Sequence, residues 1–363
     1  MKKGLAMRRL RKLRSKKAGM APGTLMYVGE VKVDAPVVSL IEYSTDGIEE
    51  RTLALDAIKD YKPPLGRKLW LNVHGLHDPQ LIADVGRVFQ LHALVLEDIL
   101  NTDQRPKVDN YDEYLYIVAR SFYYDQSSKA LSSEQVSLVL GNNFVLSFQE
   151  RPTGAFLPVR ERLRSGRAHI REIGADYLAY TLLDVIVDRY FIVMEQMGED
   201  CETLEDELLR APSTPLLNKI HHLKRESTEL RRSVWPLREV VNTLARNDGN
   251  FFAASTLLYL RDVYDHLVHF IESLESIRDL LGGLLDIYLS SLSNRVNMEL
   301  RALTVIAMLF MPATLIAGIF GMNFDYMPWL ANDHGFWWVI GLMAMVATSM
   351  GLMFWRRQWL GRL

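Results

Sequence analysis

The feature that most constrains this chain is a pair of uncharged runs near the C-terminal end of the sequence. Residues 302–322 read ALTVIAMLFMPATLIAGIFGM and residues 335–355 read GFWWVIGLMAMVATSMGLMFW, each 21 positions without Asp, Glu, Lys or Arg. At a rise of about 1.5 Å per residue, a helix of that length covers about 30 Å, the thickness of a bilayer core. One such run also describes a buried core helix; two in tandem predict two membrane spans. The connecting residues 323–334 hold no Lys or Arg, whereas Arg295 and Arg301 precede the first run and Arg356, Arg357 and Arg362 follow the second. By the positive-inside rule the short loop is external and both long arms are cytoplasmic. Trp329, Trp337, Trp338 and Trp355 fall near the two interfaces, where indole rings favour the headgroup zone.

The first 301 residues therefore stand inside the cell on a two-span anchor. The formal net charge of the whole chain is -2, which argues against a general polyanion or nucleic-acid binder. The one cysteine, Cys201, has no internal disulfide partner, as in a reducing compartment. Residues 1–24 form a basic tail, with nine Lys or Arg and no acid in the first 17. No apolar run follows it, so it does not read as a signal peptide. A solvated tail and a tail held at anionic lipid headgroups both fit.

Residues 25–157 read as mixed α/β. Short β-branched or aromatic stretches predict strands at 25–28, 37–42, 69–73, 114–119, 136–140 and 144–148, the last two joined by a turn at Gly141-Asn142-Asn143. Helices are predicted at 79–89 and 92–100. Residues 158–249 read as long acidic helices: one from 158 to about 209, and one from 215 to about 247 that ends at Asn247-Asp248-Gly249. Glu199, Asp200, Glu202, Glu205, Asp206 and Glu207 make an acidic tip, either ordinarily solvated or a surface that attracts Mg²⁺.

Residues 250–322 read as a stalk that enters the first span. Phe270, Leu274, Ile277, Leu281, Leu284 and Tyr288 step by 4, 3, 4, 3 and 4, a heptad-like seam. Gly282-Gly283 weakens a helix without ending it. One helix over about 256–320 is predicted. A helix that long needs neighbours of its own kind, so a parallel homo-oligomeric stalk follows. Continued into the membrane from Asn297, the step passes Leu300, Thr304, Ala307, Met311, Thr314, Gly318 and Gly321; the positions read as opposite, Leu309, Phe310, Ile316 and Phe320, are bulky and apolar. The small and hydroxyl-bearing face fits a narrow wet pore. It also fits close helix packing through Ala313, Ala317 and Gly321, and the spacing does not choose. Pro312 is read either as a bend in the pore or as a tolerated kink.

Gly321-Met322-Asn323, followed by Phe324-Asp325-Tyr326-Met327-Pro328, resembles the signature of the CorA family of GMN-motif metal ion transporters. The likeness extends to HALVLED at 92–98, QRPK at 104–107, EQVSL at 134–138, WPLRE at 235–239, RDVYDH at 261–266 and YLSS at 288–291. It covers nearly all of the chain after about residue 25. The resemblance implies an α/β cytoplasmic domain, a long α-helical stalk and two C-terminal transmembrane helices (302–322 and 335–355, joined by the external loop 323–334 and followed by a basic tail, 356–363), assembled as a funnel-shaped homopentamer. It implies a multi-pass protein of the inner or plasma membrane that passes Mg²⁺, with Co²⁺ or Ni²⁺, down the membrane potential.

The resemblance also assigns residues. Gly321, Met322 and Asn323 would form the selectivity filter. A ring of Asn323 carboxamides can hydrogen-bond the waters that Mg²⁺ sheds reluctantly, and Gly321 would let the backbone turn and pack closely. Asn297, Leu300, Leu303, Met311 and Thr314 would line the pore, with Leu300, Leu303 and Met311 as an apolar neck. Asp98 of one subunit and Asp262 of its neighbour would share a regulatory Mg²⁺, with Glu97 and Asp184 at a second, adjacent site. Asp262, Asp265, His266 and His269 at helical spacings could also hold Zn²⁺ or Co²⁺, or form a solvated polar face.

Two features depart from the family's pattern: Trp329 replaces the acid that usually follows Met-Pro, and the basic collar is reduced to Arg356-Arg357-Gln358. The rivals are a zinc transporter of the same superfamily and a pore-less membrane-anchored sensor or enzyme. No phosphate loop, His-Glu-x-x-His or nucleophile elbow is present, so no enzyme is expected.

Overall fold

The computed structural model describes residues 19–64, 66–125, 130–166, 170–246, 250–322 and 334–357. The predicted break at 247–249, Asn323 with most of the predicted external loop, and most of the basic tail lie outside them. The chain divides into two compact units, one of Met1–Thr203 with Lys219–Leu281 and one of Leu204–Asn218 with Gly282–Leu363.

The first unit is built on a seven-stranded sheet. Its strands are β1 (Val37–Tyr43), β2 (Ile48–Leu53), β3 (Lys68–His74), β4 (Lys107–Tyr111), β5 (Tyr114–Asp125), β6 (Ala130–Gly141) and β7 (Phe144–Gln149), in the order β2-β1-β3-β7-β6-β5-β4. Only the β3–β7 pairing is parallel. Successive side chains leave opposite faces of a strand, and both faces here are apolar. Leu115, Ile117, Leu138, Leu140 and Trp70 enter one core, whereas Tyr116, Val118, Val139, Leu69 and Leu71 enter the other. The second core is closed by α1 (Pro79–Val88) and α2 (Ala93–Leu100). The first is closed by α3 (Leu157–Ser165) and by the parts within this unit of α4 (Ala175–Arg210), α5 (Thr214–Arg246) and α6 (Ala254–Phe320). The result is a helix–sheet–helix sandwich, as an α/β reading requires.

Four details differ from the sequence expectations. Residues 25–28 do not form a strand: Val28 makes a single bridge to Asn101, exchanging hydrogen bonds with Leu100 and Thr102. Strands β2 and β4, not anticipated, are the two edges of the sheet. The helix expected from 158 to 209 is two helices, because Gly166 ends α3 with φ +64° and caps it in the left-handed region. The apolar seam of the stalk is also satisfied within the chain. Phe270, Leu274, Leu281, Leu284 and Tyr288 are all buried in a single copy, so this seam is not what demands identical neighbours.

Helix α6 has 67 residues, about 100 Å of continuous helix, and it passes through Pro312 without a break. Beyond Tyr288 its side chains turn outward: Leu289, Leu292, Val296, Leu300, Leu303, Phe310, Met311 and Leu315 are exposed. α7 (Gly335–Arg356) is the second apolar helix. Both helices are long and apolar enough to cross a membrane.

Candidate functional site

The apolar part of α6 has two distinct sides. Ala302, Val305, Leu309, Pro312, Ala313, Ile316 and Phe320 are half-buried or buried, with Val305 only 7% exposed. Their steps of three and four make one stripe along the helix. A matching stripe on α7 runs through Gly335, Val339, Leu342, Val346, Met350 and Phe354, of which Phe354 is 3% exposed. At 100° per residue, the side of α6 opposite its stripe carries Asn297, Leu300, Thr304, Ala307, Met311, Thr314 and Gly318. All seven are exposed, Leu300 at 55% and Met311 at 68%. A shallow groove on this side is lined by Ala307, Met311, Thr314, Gly318 and Met322 together with the bulky Phe310, Leu315 and Ile319, so Phe310, expected on the opposite side, is exposed here instead. Leu303 and Gly321 flank it and are exposed as well.

The hydroxyls on this face are partly spoken for. Thr304 Oγ1 donates to the Leu300 carbonyl at 2.8 Å and Thr314 Oγ1 to the Phe310 carbonyl at 2.9 Å. This satisfies each proton inside the helix and leaves the oxygen lone pairs facing outward as acceptors. The threonines are thus compatible with lipid as well as with water, which weakens them as a pore signature taken alone. Gly321 closes the helix through its N–H to the Ala317 carbonyl at 2.9 Å. Its φ is not positive, and a Cβ there would lie 3.0 Å from that carbonyl oxygen.

The acids expected to bind metal fall at two places in the first unit. Glu97 and Asp98 lie in the last turn of α2, whose start is capped by the His92 side chain accepting from Leu94 N–H at 3.2 Å. Asp98 Oδ1 accepts from Gln104 Nε2 at 2.5 Å, and Asp98 Oδ2 accepts from Lys107 Nζ at 2.7 Å. Lys107, on β4, also reaches Asp109 Oδ2 at 2.6 Å. Gln135 braces this end of the helix, accepting from Gln104 N–H at 3.0 Å and donating to the Asp98 carbonyl at 3.2 Å. Glu97 Oε2 accepts from Gly23 N–H at 2.5 Å. A pocket opens among Glu97, Asp98, Lys107, Asp109 and Tyr111. Burial alone would lower the Lys107 pKa, but its bonds to Asp109 and Asp98 outweigh that and hold it above the ordinary value. Asp109 was not among the expected residues; its signal is the Lys-x-Asp alternation, which puts both side chains on one side of β4.

The second place is the junction of α4 with α6. Asp184, Asp188 and His266 bring one ligand atom each within 4.8 Å of one another. His266 Nε2 lies 3.8 Å from Asp262, one turn back on α6. Burial, then the charge of Asp188, pushes the Asp184 carboxyl up to about 6, against the pull of Arg162 and His266. Asp188 was also missed, although it lies four residues from Asp184 and hence on the same helix face.

Within one chain these groups do not combine as the resemblance pairs them. Asp98 is engaged by Gln104 and Lys107, Asp262 by His266, and Asp184 by its own cluster. The two donor sets differ in chemistry. Glu97, Asp98 and Asp109 offer oxygen only, which suits Mg²⁺. Asp184, Asp188 and His266 add an imidazole nitrogen, which suits Co²⁺ or Zn²⁺ as well. Of the acidic tip, Asp200 accepts a bond from the Tyr124 hydroxyl at 2.5 Å and is not simply solvated.

The model of the CorA-like Mg²⁺ transporter protein family matches residues 67–357. The cobalt/magnesium transport protein CorA of Thermotoga maritima is 42% identical over 347 residues, which is 95% of this chain and 98% of that protein. The complete structure of the CorA magnesium transporter from Methanocaldococcus jannaschii is similar with a TM-score of 0.78 at 21% identity, over 89% of this chain and 98% of that one. The ZntB cytoplasmic domain from Vibrio parahaemolyticus is similar with a TM-score of 0.57 at 12% identity, over 71% of this chain and 98% of that one. At such identities the two structural likenesses carry the fold alone.

Proposed function

The chain belongs to the CorA-like Mg²⁺ transporter family, a family of transporters and not of enzymes, and from that premise we propose that it is a homo-oligomeric, pentameric channel that admits Mg²⁺, and also Co²⁺ or Ni²⁺, down the membrane potential. The observation that carries this reading is the exposed face of α6 from Asn297 to Gly318, directly opposite the stripe that the chain covers itself. Parallel copies arranged about an axis would turn this face inward. Leu300, Leu303 and Met311 would then form an apolar neck that excludes ions by dewetting when narrow. Thr314, with its outward lone pairs, would meet the waters of a passing ion. Gly321, Met322 and Asn323 would stand at the external mouth, the Asn323 carboxamides holding hydrated Mg²⁺ through its waters. The α/β unit and both chain ends would be cytoplasmic, at the plasma or inner membrane.

In this reading Asp98 of one subunit and Asp262 of the partner subunit bind a regulatory Mg²⁺, with Glu97 and Asp184 at the adjacent position. Asp262 is the more exposed partner, its side chain 62% accessible beside His266, which leaves it room to face a neighbour. Carboxylates facing each other across an interface repel when empty and are drawn together by a divalent ion. Filled sites would hold the ring closed at high internal Mg²⁺, and emptied sites would let it open. A second reading, zinc transport, is favoured by the imidazole in the Asp184–Asp188–His266 cluster.

Uptake into proteoliposomes that contain an ion-sensitive dye tests both. Mg²⁺ entry that follows the membrane potential and is lost in Asn323→Ala is the expected result. Zn²⁺ entry that requires a pH gradient, without Mg²⁺ entry, would move the protein to the zinc reading. No divalent flux at all would leave a membrane-anchored sensor.

A further inference from the structure

The pocket beside Asp98 already holds a cation, and it is part of the chain. The Lys107 ammonium lies 2.7 Å from Asp98 Oδ2 and 2.6 Å from Asp109 Oδ2. It occupies Oδ2 of the same carboxylate on which the regulatory ion is proposed to sit. Taking Asp98 as that ligand, we propose that Lys107 is a tethered competitor for the divalent ion: it must swing off Asp98 before the ion binds, and so it sets the concentration at which the site fills.

Three features fit a competitor better than a fixed strut. Gln104 holds Oδ1 independently, so the carboxylate keeps its orientation when Oδ2 is released. Asp109 gives the ammonium a second resting place without full return to water. The side chain is also able to move, since Lys107 is 35% and Asp98 21% exposed, and a lysine head on four methylenes is a mobile point charge. Asp98 and Asp109 sum to a charge of -2, which Lys107, bonded to both, reduces to -1. Neutralising the lysine therefore both vacates Oδ2 and strengthens the field that attracts a divalent ion. A lysine that organises the site would act in the opposite direction, because its loss would leave Asp98 and Asp109 repelling each other.

The test is isothermal titration of MgCl₂ into the full-length protein in detergent, which reads binding without transport. The relevant binding component is the one lost in Asp98→Asn; if Asp98→Asn changes nothing, the underlying assignment of Asp98 fails and the competitor idea goes with it. Given that component, Lys107→Met is expected to tighten it by about tenfold, a change of the size one displaced ion pair supplies. Weaker or unchanged Mg²⁺ binding in Lys107→Met, with Asp98→Asn still abolishing the component, overturns the competitor and leaves the Asp98 site standing. Should Lys107→Met fail to fold, Lys107→Gln is the second neutral variant and the same outcomes apply.

Discussion

Glu134 on β6 is completely buried, with Oε1 accepting from the Thr153 hydroxyl at 3.1 Å. Glu150 is buried beside it and paired with Lys32 at 2.8 Å. Burial first, and the Glu150 charge second, push the Glu134 carboxyl up to about 7, against Thr153, Lys32 and Arg189. A carboxyl with a raised folded-state pKa binds its proton more tightly when folded. Its contribution is therefore fully present below its unfolded value near 4.5 and is lost as pH rises through about 7. The cost at alkaline pH is at most about 3 kcal/mol by linkage. Glu134→Gln should therefore raise the melting temperature near pH 8 and change it little near pH 5, in thermal unfolding of the full-length protein in detergent. An equal shift at both pH values would rule out the titration. At this scale the sequence reveals chemical types more readily than partners. Asp98 and Lys107 both stand in motif blocks of the sequence, HALVLED and QRPK, but their pairing exists only because β4 runs past the end of α2, which no spacing encodes.

Helix α6 begins where another helix holds it. Asp176, in the first turn of α4, accepts through Oδ2 from Ala253 N–H at 3.0 Å and from the Thr256 hydroxyl at 2.6 Å. It is 8% exposed, so removing it leaves a buried hydroxyl donor on Thr256 and a partly buried N–H on Ala253 unpaired at the head of the helix. Hydrogen bonds to a charged acceptor of this kind contribute about 1.5 to 3 kcal/mol. Asp176→Ala should cost that much and speed amide exchange at residues 253–257, with Asp176→Asn losing less because it keeps an acceptor. Exchange that quickens equally along all of α6 would instead indicate global destabilisation.

The elements were legible in proportion to their apolar periodicity. α6 was anticipated almost to its ends, as were β1, β3 and β7, because their patterns are consistent, whereas β5 (Tyr114–Asp125) and β6 (Ala130–Gly141) extend well beyond the predicted 114–119 and 136–140. β2, IEERTL, and β4, KVDNY, were missed because edge strands carry charge to discourage pairing with other chains, and that charge erases the alternation. The α3–α4 break was missed because one glycine in a helical pattern is usually tolerated, and only its left-handed conformation makes Gly166 a terminus.

Assembly is where sequence pattern and structure part most. The seam from Phe270 to Tyr288 looked like an interface between copies but is consumed within the chain; the face from Asn297 onward has no such cover. That face is recognisable as special in the sequence, but its orientation becomes meaningful only once Val305 and Leu309 mark the opposite side as covered. The arrangement can be tested with single cysteines. Native Cys201 is 1% exposed, and burial, then Asp200 and Glu202, push its thiol up to about 11, so it will stay silent toward thiol reagents. Leu300→Cys, on the outward face, and Leu309→Cys, on the covered side, lie about 180° apart around α6 at 100° per residue. If copies surround an axis lined by the outward face, a short bismaleimide added to the membrane-embedded protein should link Leu300→Cys subunits into dimers and leave Leu309→Cys monomeric on a denaturing gel. Dimers from Leu309→Cys alone would place the covered side between copies, and the small residues Ala313 and Ala317 near it would then mark a packing seam instead of a pore beside Leu300.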